Sequence, residues 1–122
     1  MATDPAPEPV HDAAVGIERL DQAVVLTLSG ALDFSTIGPI RDTVVGALAE
    51  CPAVVALDLL AVTFLGEAGL ALLVEAAHLV AGPDTALHVV AVGGPLRKVQ
   101  VAGLDGHLSV YPTRQHALSA VQ

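Results

Sequence analysis

The sequence predicts an α/β layered domain with a mostly parallel sheet, and three observations carry that prediction. The run Ala53–Leu59 is apolar at nearly every position, the pattern of a strand covered on both faces. Strand-like runs alternate with segments of helical spacing in the order ββαβαβαβα. At 122 residues the chain suits one domain and is short for two. A folded chain of this length hides roughly two thirds of its surface, enough for a core without staples.

The elements follow in order. Residues 1–13 hold three alternating prolines, Pro5, Pro7 and Pro9, and three acids, and cannot bury enough apolar surface to offset ordering. They are expected to form a flexible tail ahead of a domain over residues 14–122. Val15–Leu20 and Ala23–Ser29 read as strands joined by a tight turn at Asp21-Gln22. Gly30–Asp33 is expected to break the second strand, and Ser35 or Thr36 to cap a helix entered near Pro39. Ile40, Val44, Ala47 and Leu48 give that helix its apolar face, and Glu50-Cys51-Pro52 ends it. The buried strand Ala53–Leu59 leads into a predicted loop, Leu60–Leu65. A second helix is expected from Gly66 to Ala81, stopped by Gly82-Pro83. Leu70, Leu73, Val74, Ala77 and Val80 are its predicted core stripe, while Glu67, Ala71, Glu75 and His78 share another face. Leu87–Val92 then reads as a strand and Pro95–Ala102 as a short helix closed by Gly103. A last strand, Leu108–Tyr111, and a terminal helix, Thr113–Val121, complete the order.

Composition excludes several functions. Five Lys and Arg against thirteen Asp and Glu give a net charge of -8, the wrong sign for a phosphate-binding face. Phe34, Phe64 and Tyr111 are the whole aromatic complement, too few for stacking bases. One cysteine, Cys51, excludes an internal disulfide framework and fits a reducing, cytoplasmic setting. The acidic start Met1-Ala2-Thr3-Asp4-Pro5 lacks a cationic n-region and is not expected to act as a signal peptide. Asp58, Glu67, Glu75 and Asp84 interrupt the apolar stretches before a membrane span accumulates.

Catalytic patterns are equally scarce. His11, His78, His88, His107 and His116 contain no His-x-x-x-His pair, so no metal site is expected. There is no Gly-x-Ser-x-Gly elbow and no phosphate-cradling Gly-x-x-x-x-Gly-Lys-Ser/Thr loop. Cys51 has no cation beside it in sequence to activate its thiol. Val92-Gly93-Gly94-Pro95-Leu96-Arg97-Lys98 is the one turn that could hold an anion, since glycines there open a helix beside two cations. The residues therefore point away from an enzyme and call for no cofactor.

Three segments carry a family resemblance: Val25–Asp33, Val55–Leu65 with its Leu-Asp-Leu and Val-Thr-Phe-Leu motifs, and Gly69-Leu70. With Gly103-Leu104-Asp105, Val110-Tyr111-Pro112 and Ala117-Leu118, they make residues 14–121 resemble the STAS domain of anti-sigma-factor antagonists. The resemblance implies a small sheet with helices packed mainly on one side. It also implies a non-enzymatic protein that binds a kinase-type anti-sigma factor or a related ATPase-fold regulator, with a weak homodimer left open. The partner-binding positions so implied are Asp33, Leu65, Gly66, Glu67, Ala68, Gly69, Ala71 and Glu75. In the family, a serine at the N-terminus of the second helix is phosphorylated to end binding, within Asp-Ser-Ser-Gly or Asp-Ser-Thr-Gly. This chain reads Gly66-Glu67-Ala68-Gly69, with Glu67 at the acceptor position, so the loop has no hydroxyl to modify. A small-ligand sensor using the Gly93-Gly94 turn and the N-terminus of the second helix as an anion or nucleotide pocket is the alternative reading.

Overall fold

The computed structural model describes residues 13–80, 84–106 and 108–119. Strands β1 (Ala13–Arg19) and β2 (Ala23–Leu32) form an antiparallel hairpin. Helix α1 (Ile37–Ala49) then crosses to β3 (Val54–Leu65), and α2 (Glu67–Leu79) crosses to β4 (Ala86–Val90). Helix α3 (Gly93–Val101), a 3-10 turn (Leu104–Gly106), β5 (Ser109–Tyr111) and α4 (Arg114–Ser119) follow. The five strands lie side by side in sequence order, and every pairing after the first is parallel. The predicted element order and mixed, mostly parallel sheet are those observed.

One large core explains the layering. Leu26, Leu57 and Val89 lie in register across β2, β3 and β4. They pack in one cluster with Ile40 and Val44 of α1, Leu72 and Leu73 of α2, and Val99 of α3. The four α1 residues predicted to face inward are the four that are buried. Helix α4 lies on the opposite face, where the His88 Nδ1–H donates to the Ala117 carbonyl at 2.7 Å. Helices thus crowd one side of the sheet and a short one covers the other. That second cover is why Val54, Val55, Ala56 and Leu57 are all fully buried.

Several boundaries differ from expectation, each for a tertiary reason. Gly30 does not end β2. At φ +83° it takes a backbone shape that suits glycine, and the strand resumes after a register shift as far as Leu32. The predicted loop Leu60–Leu65 is instead strand, because it pairs with that continuation of β2, Ala61 opposite Ser29 and Leu65 opposite Leu32. β4 stops at Val90, opposite Asp58 of β3, and α3 begins at Gly93, so that Pro95 sits in its first turn.

Helix α2 is rotated from the predicted stripe. It buries Ala68, Gly69, Leu72, Leu73 and Ala76, while Leu70, Ala77 and Val80 are only partly buried. A helix apolar almost all round leaves its inward face undetermined by spacing. Here close approach to the sheet selected the small residues. The stop expected at Gly82-Pro83 and most of the tail expected over residues 1–13 lie outside the described residues.

Candidate functional site

The candidate site is built where β2 and β3 end together. Leu32 pairs with Leu65, and the Gly66 N–H donates to the Leu32 carbonyl at 3.0 Å. This link places Asp33 beside the start of α2. The Asp33 carbonyl accepts from the N–H groups of Thr36 and Ile37, so the same residue also opens α1. Its carboxylate accepts from the Ser35 N–H at 2.9 Å and the Ser35 hydroxyl at 2.6 Å. The Thr36 hydroxyl donates to the Ala31 carbonyl at 2.7 Å. The hydroxyls around Asp33 therefore serve to shape the turn rather than stand idle.

Two glycines make the junction tight. A Cβ on Gly69 would lie 2.5 Å from Leu65 Cδ1 and 3.1 Å from Leu32 Cβ. A Cβ on Gly66 would lie 2.9 Å from the Phe64 ring and 3.2 Å from the Leu32 carbonyl oxygen. Gly69 thus brings α2 against β2 at backbone distance. Gly69→Ala is expected to lower stability by about 1–2 kcal/mol despite alanine's better helix propensity, because Leu32 cannot move without breaking β2. Urea denaturation checks this, and an unchanged or raised midpoint would show that the junction relaxes freely.

The eight predicted binding positions divide by exposure. Leu65, Gly66, Ala68 and Gly69 are buried and hold the frame. Glu67 and Ala71 are exposed, one turn apart on α2, while Asp33 and Glu75 are intermediate. Glu67 is the first residue of α2, where a carboxylate is favoured by the unpaired amides and the helix dipole. Glu75 is tied to α1, since its carboxylate accepts from Arg41 Nε at 2.8 Å and from Arg41 Nη2. Hydrogen bonding to Arg41 holds the Glu75 carboxyl below its ordinary pKa.

Phe34 and Phe64 were missed as site residues by sequence reasoning, and Lys98 was assigned to the Gly93-Gly94 turn instead. Phe34 is 78% exposed and Phe64 49%, both at the strand ends that frame Glu67. Lys98 Nζ lies 5.4 Å from the Phe64 ring centre, a cation–π contact. One of the two cations beside the Gly93-Gly94 turn is thus engaged by an aromatic face. Gly93 itself sits at φ +61°, which accounts for a glycine there through the chain reversal alone.

A cavity of about 470 Å³ opens elsewhere on α2, lined by Val74, Ala77, His78, Leu104 and Leu108. Among the described residues, no group of three or more His, Cys, Asp and Glu side chains is placed to hold a metal ion. No helix among them is long and apolar enough to cross a membrane.

Residues 14–117 match the family model described as the STAS domain. The chain is 30% identical over 99 residues to the anti-sigma-F factor antagonist RsfB of Mycobacterium tuberculosis, covering 80% of each chain. The crystal structure of an anti-sigma factor antagonist from Mycobacterium paratuberculosis superposes with a TM-score of 0.85 at 32% identity, over 90% of this chain and 94% of that one. The Bacillus cell fate determinant SpoIIAA in its phosphorylated form shares the fold, with a TM-score of 0.63 at 23% identity over 89% of this chain and 100% of that one.

Proposed function

The chain belongs to the STAS domain family, and on that premise we propose that it is an anti-sigma-factor antagonist fixed in one binding state. Its partner is a kinase-type anti-sigma factor or a related ATPase-fold regulator. Contact runs through Asp33, the Leu65–Gly69 junction and the face of α2 that carries Glu67, Ala71 and Glu75. The buried members of that set position the exposed ones. The reading places the protein in the cytoplasm, where such partners work, and assigns it no catalysis.

One observation carries the fixed state. Glu67 stands exposed at the head of α2, between buried Gly66 and buried Ala68, and the first turn offers no hydroxyl. Charge favours the binding-competent state. Asp33 and Glu67 together bring about -2, as an Asp-Asp-Ser arrangement would. A phosphorylated serine would add about -1.5 to -2 to that arrangement.

A kinase assay tests the proposal. Wild type incubated with the cognate kinase and ATP is expected to gain no phosphate, and its partner affinity to stay unchanged. Glu67→Ser is expected to take up one phosphate at residue 67 and to make binding ATP-dependent. This single change suits the test, because Gly66→Asp would press on Phe64 and Ala68→Ser would bury a hydroxyl. Mass spectrometry reads both proteins. Phosphate on Ser35 or Thr63 of wild type would establish a displaced switch and end the fixed-state reading.

A further inference from the structure

We propose that Phe34 and Phe64 are the apolar anchors of this interface, and that they seat in an apolar hollow of the partner rimmed by arginine or lysine. The inference rests on the proposed function and names the chemistry of the partner face. These are the chain's two phenylalanines, and neither is in the core. Phe34 stands in solvent and Phe64 is half exposed beside Lys98, both at the end of the β2–β3 pair. Ala31 pairs with Phe64, and Phe34 follows two residues after Leu32, whose carbonyl holds Gly66. The anchors therefore bracket the junction that presents Glu67. Large aromatic side chains that become fully desolvated on contact carry a disproportionate share of binding energy.

Charge specifies the rim of the hollow. Asp33 immediately precedes Phe34 and Glu67 follows three residues after Phe64, on a chain of net charge -8. Four of the chain's five Lys and Arg have partners among the described residues. Arg19 pairs with Glu50, Arg41 with Glu75 and Arg114 with Asp58, while Lys98 lies over Phe64. A cationic rim on the partner complements exposed Glu67 and the chain's net negative charge, steers encounter and fixes orientation.

Isothermal titration of the purified full chain against a purified kinase-type anti-sigma factor from the same organism decides the matter. Phe34→Ala is expected to raise Kd at least tenfold with an unchanged melting temperature, since its ring is 78% exposed. Phe64→Ala is expected to act in the same direction. Val101→Ser, a change at a residue 82% exposed on α3, is the control and should bind as wild type. Wild-type binding should weaken as salt rises. If wild type binds and Phe34→Ala binds equally well, the anchors are refuted and the proposed function stands. If wild type binds no such factor, the proposed function falls and takes this inference with it. A wild-type dimer in sedimentation that Phe34→Ala dissolves would assign the rings to a second copy of the chain and overturn the inference.

Discussion

Arg114→Ala is expected to lower the unfolding free energy by about 2–3 kcal/mol, although Arg114 lies at the edge of the molecule. Asp58 sits in the middle of β3 and is only 3% exposed, yet it carries a carboxylate. One of its oxygens accepts from the Leu60 N–H at 2.9 Å. The other accepts from Arg114 Nη2 at 2.7 Å and Nε at 3.1 Å. Arg114 also donates to the Thr27 hydroxyl at 2.8 Å and reaches Glu18 at 3.4 Å, which joins α4 to β1, β2 and β3. Removing the guanidinium strands a buried charge, a change that costs roughly 3–5 kcal/mol when both partners are enclosed. Arg114 is 38% exposed, so water entering its place recovers part of that, and the lower figure follows. Adding Asp58→Asn to the same variant should restore most of the loss, because no charge is then left in the sheet. Urea denaturation of the single and double variants is the check. A loss below about 0.5 kcal/mol in Arg114→Ala would mean that solvent already reaches Asp58.

Ala71→Arg should leave the fold within about 0.5 kcal/mol of wild type while weakening partner binding at least about a hundredfold, or about 2.7 kcal/mol. The fold tolerates it because Ala71 is exposed, and an arginine four residues after Glu67 forms a favourable helix pair. Binding does not, because the proposed partner must come close to α2 over a methyl group, and a long cation fills that space. It would also compete with Arg41 for Glu75 and loosen the α1–α2 tie. Titration calorimetry together with thermal melting separates the two effects. A variant that melts early would move Ala71 into the core, and one that binds normally would move the interface off this face of α2.

Much of this architecture was legible before any coordinate. Val54–Leu57 has no polar residue, and a four-residue apolar run leaves a strand nowhere to be except between two layers. Ile40, Val44, Ala47 and Leu48 recur on one helical face, with Arg41, Asp42 and Thr43 on others, so one orientation of α1 buries them. The substitution at the head of α2 was also visible directly, since glutamate at residue 67 is a matter of identity rather than of shape.

What the sequence could not determine was everything set by a neighbour distant along the chain. Leu60–Leu65 is apolar but for Thr63 and reads as the connection into α2, yet it is strand because β2 extends far enough to pair with it. The phase of α2 stayed open because leucine, valine and alanine surround the helix. Contact with Leu32 closed it by demanding glycine at the point of closest approach. Asp58 reads locally as a charge interrupting an apolar run, and only α4, more than fifty residues later, supplies its partner. Phe34 and Phe64 read as ordinary apolar residues until the paired ends of β2 and β3 leave them in water. Local pattern fixes which residues want burial, because that preference belongs to each side chain. Which of them obtain it is decided by the packing of the whole chain, because the space available is set by elements that meet only after folding.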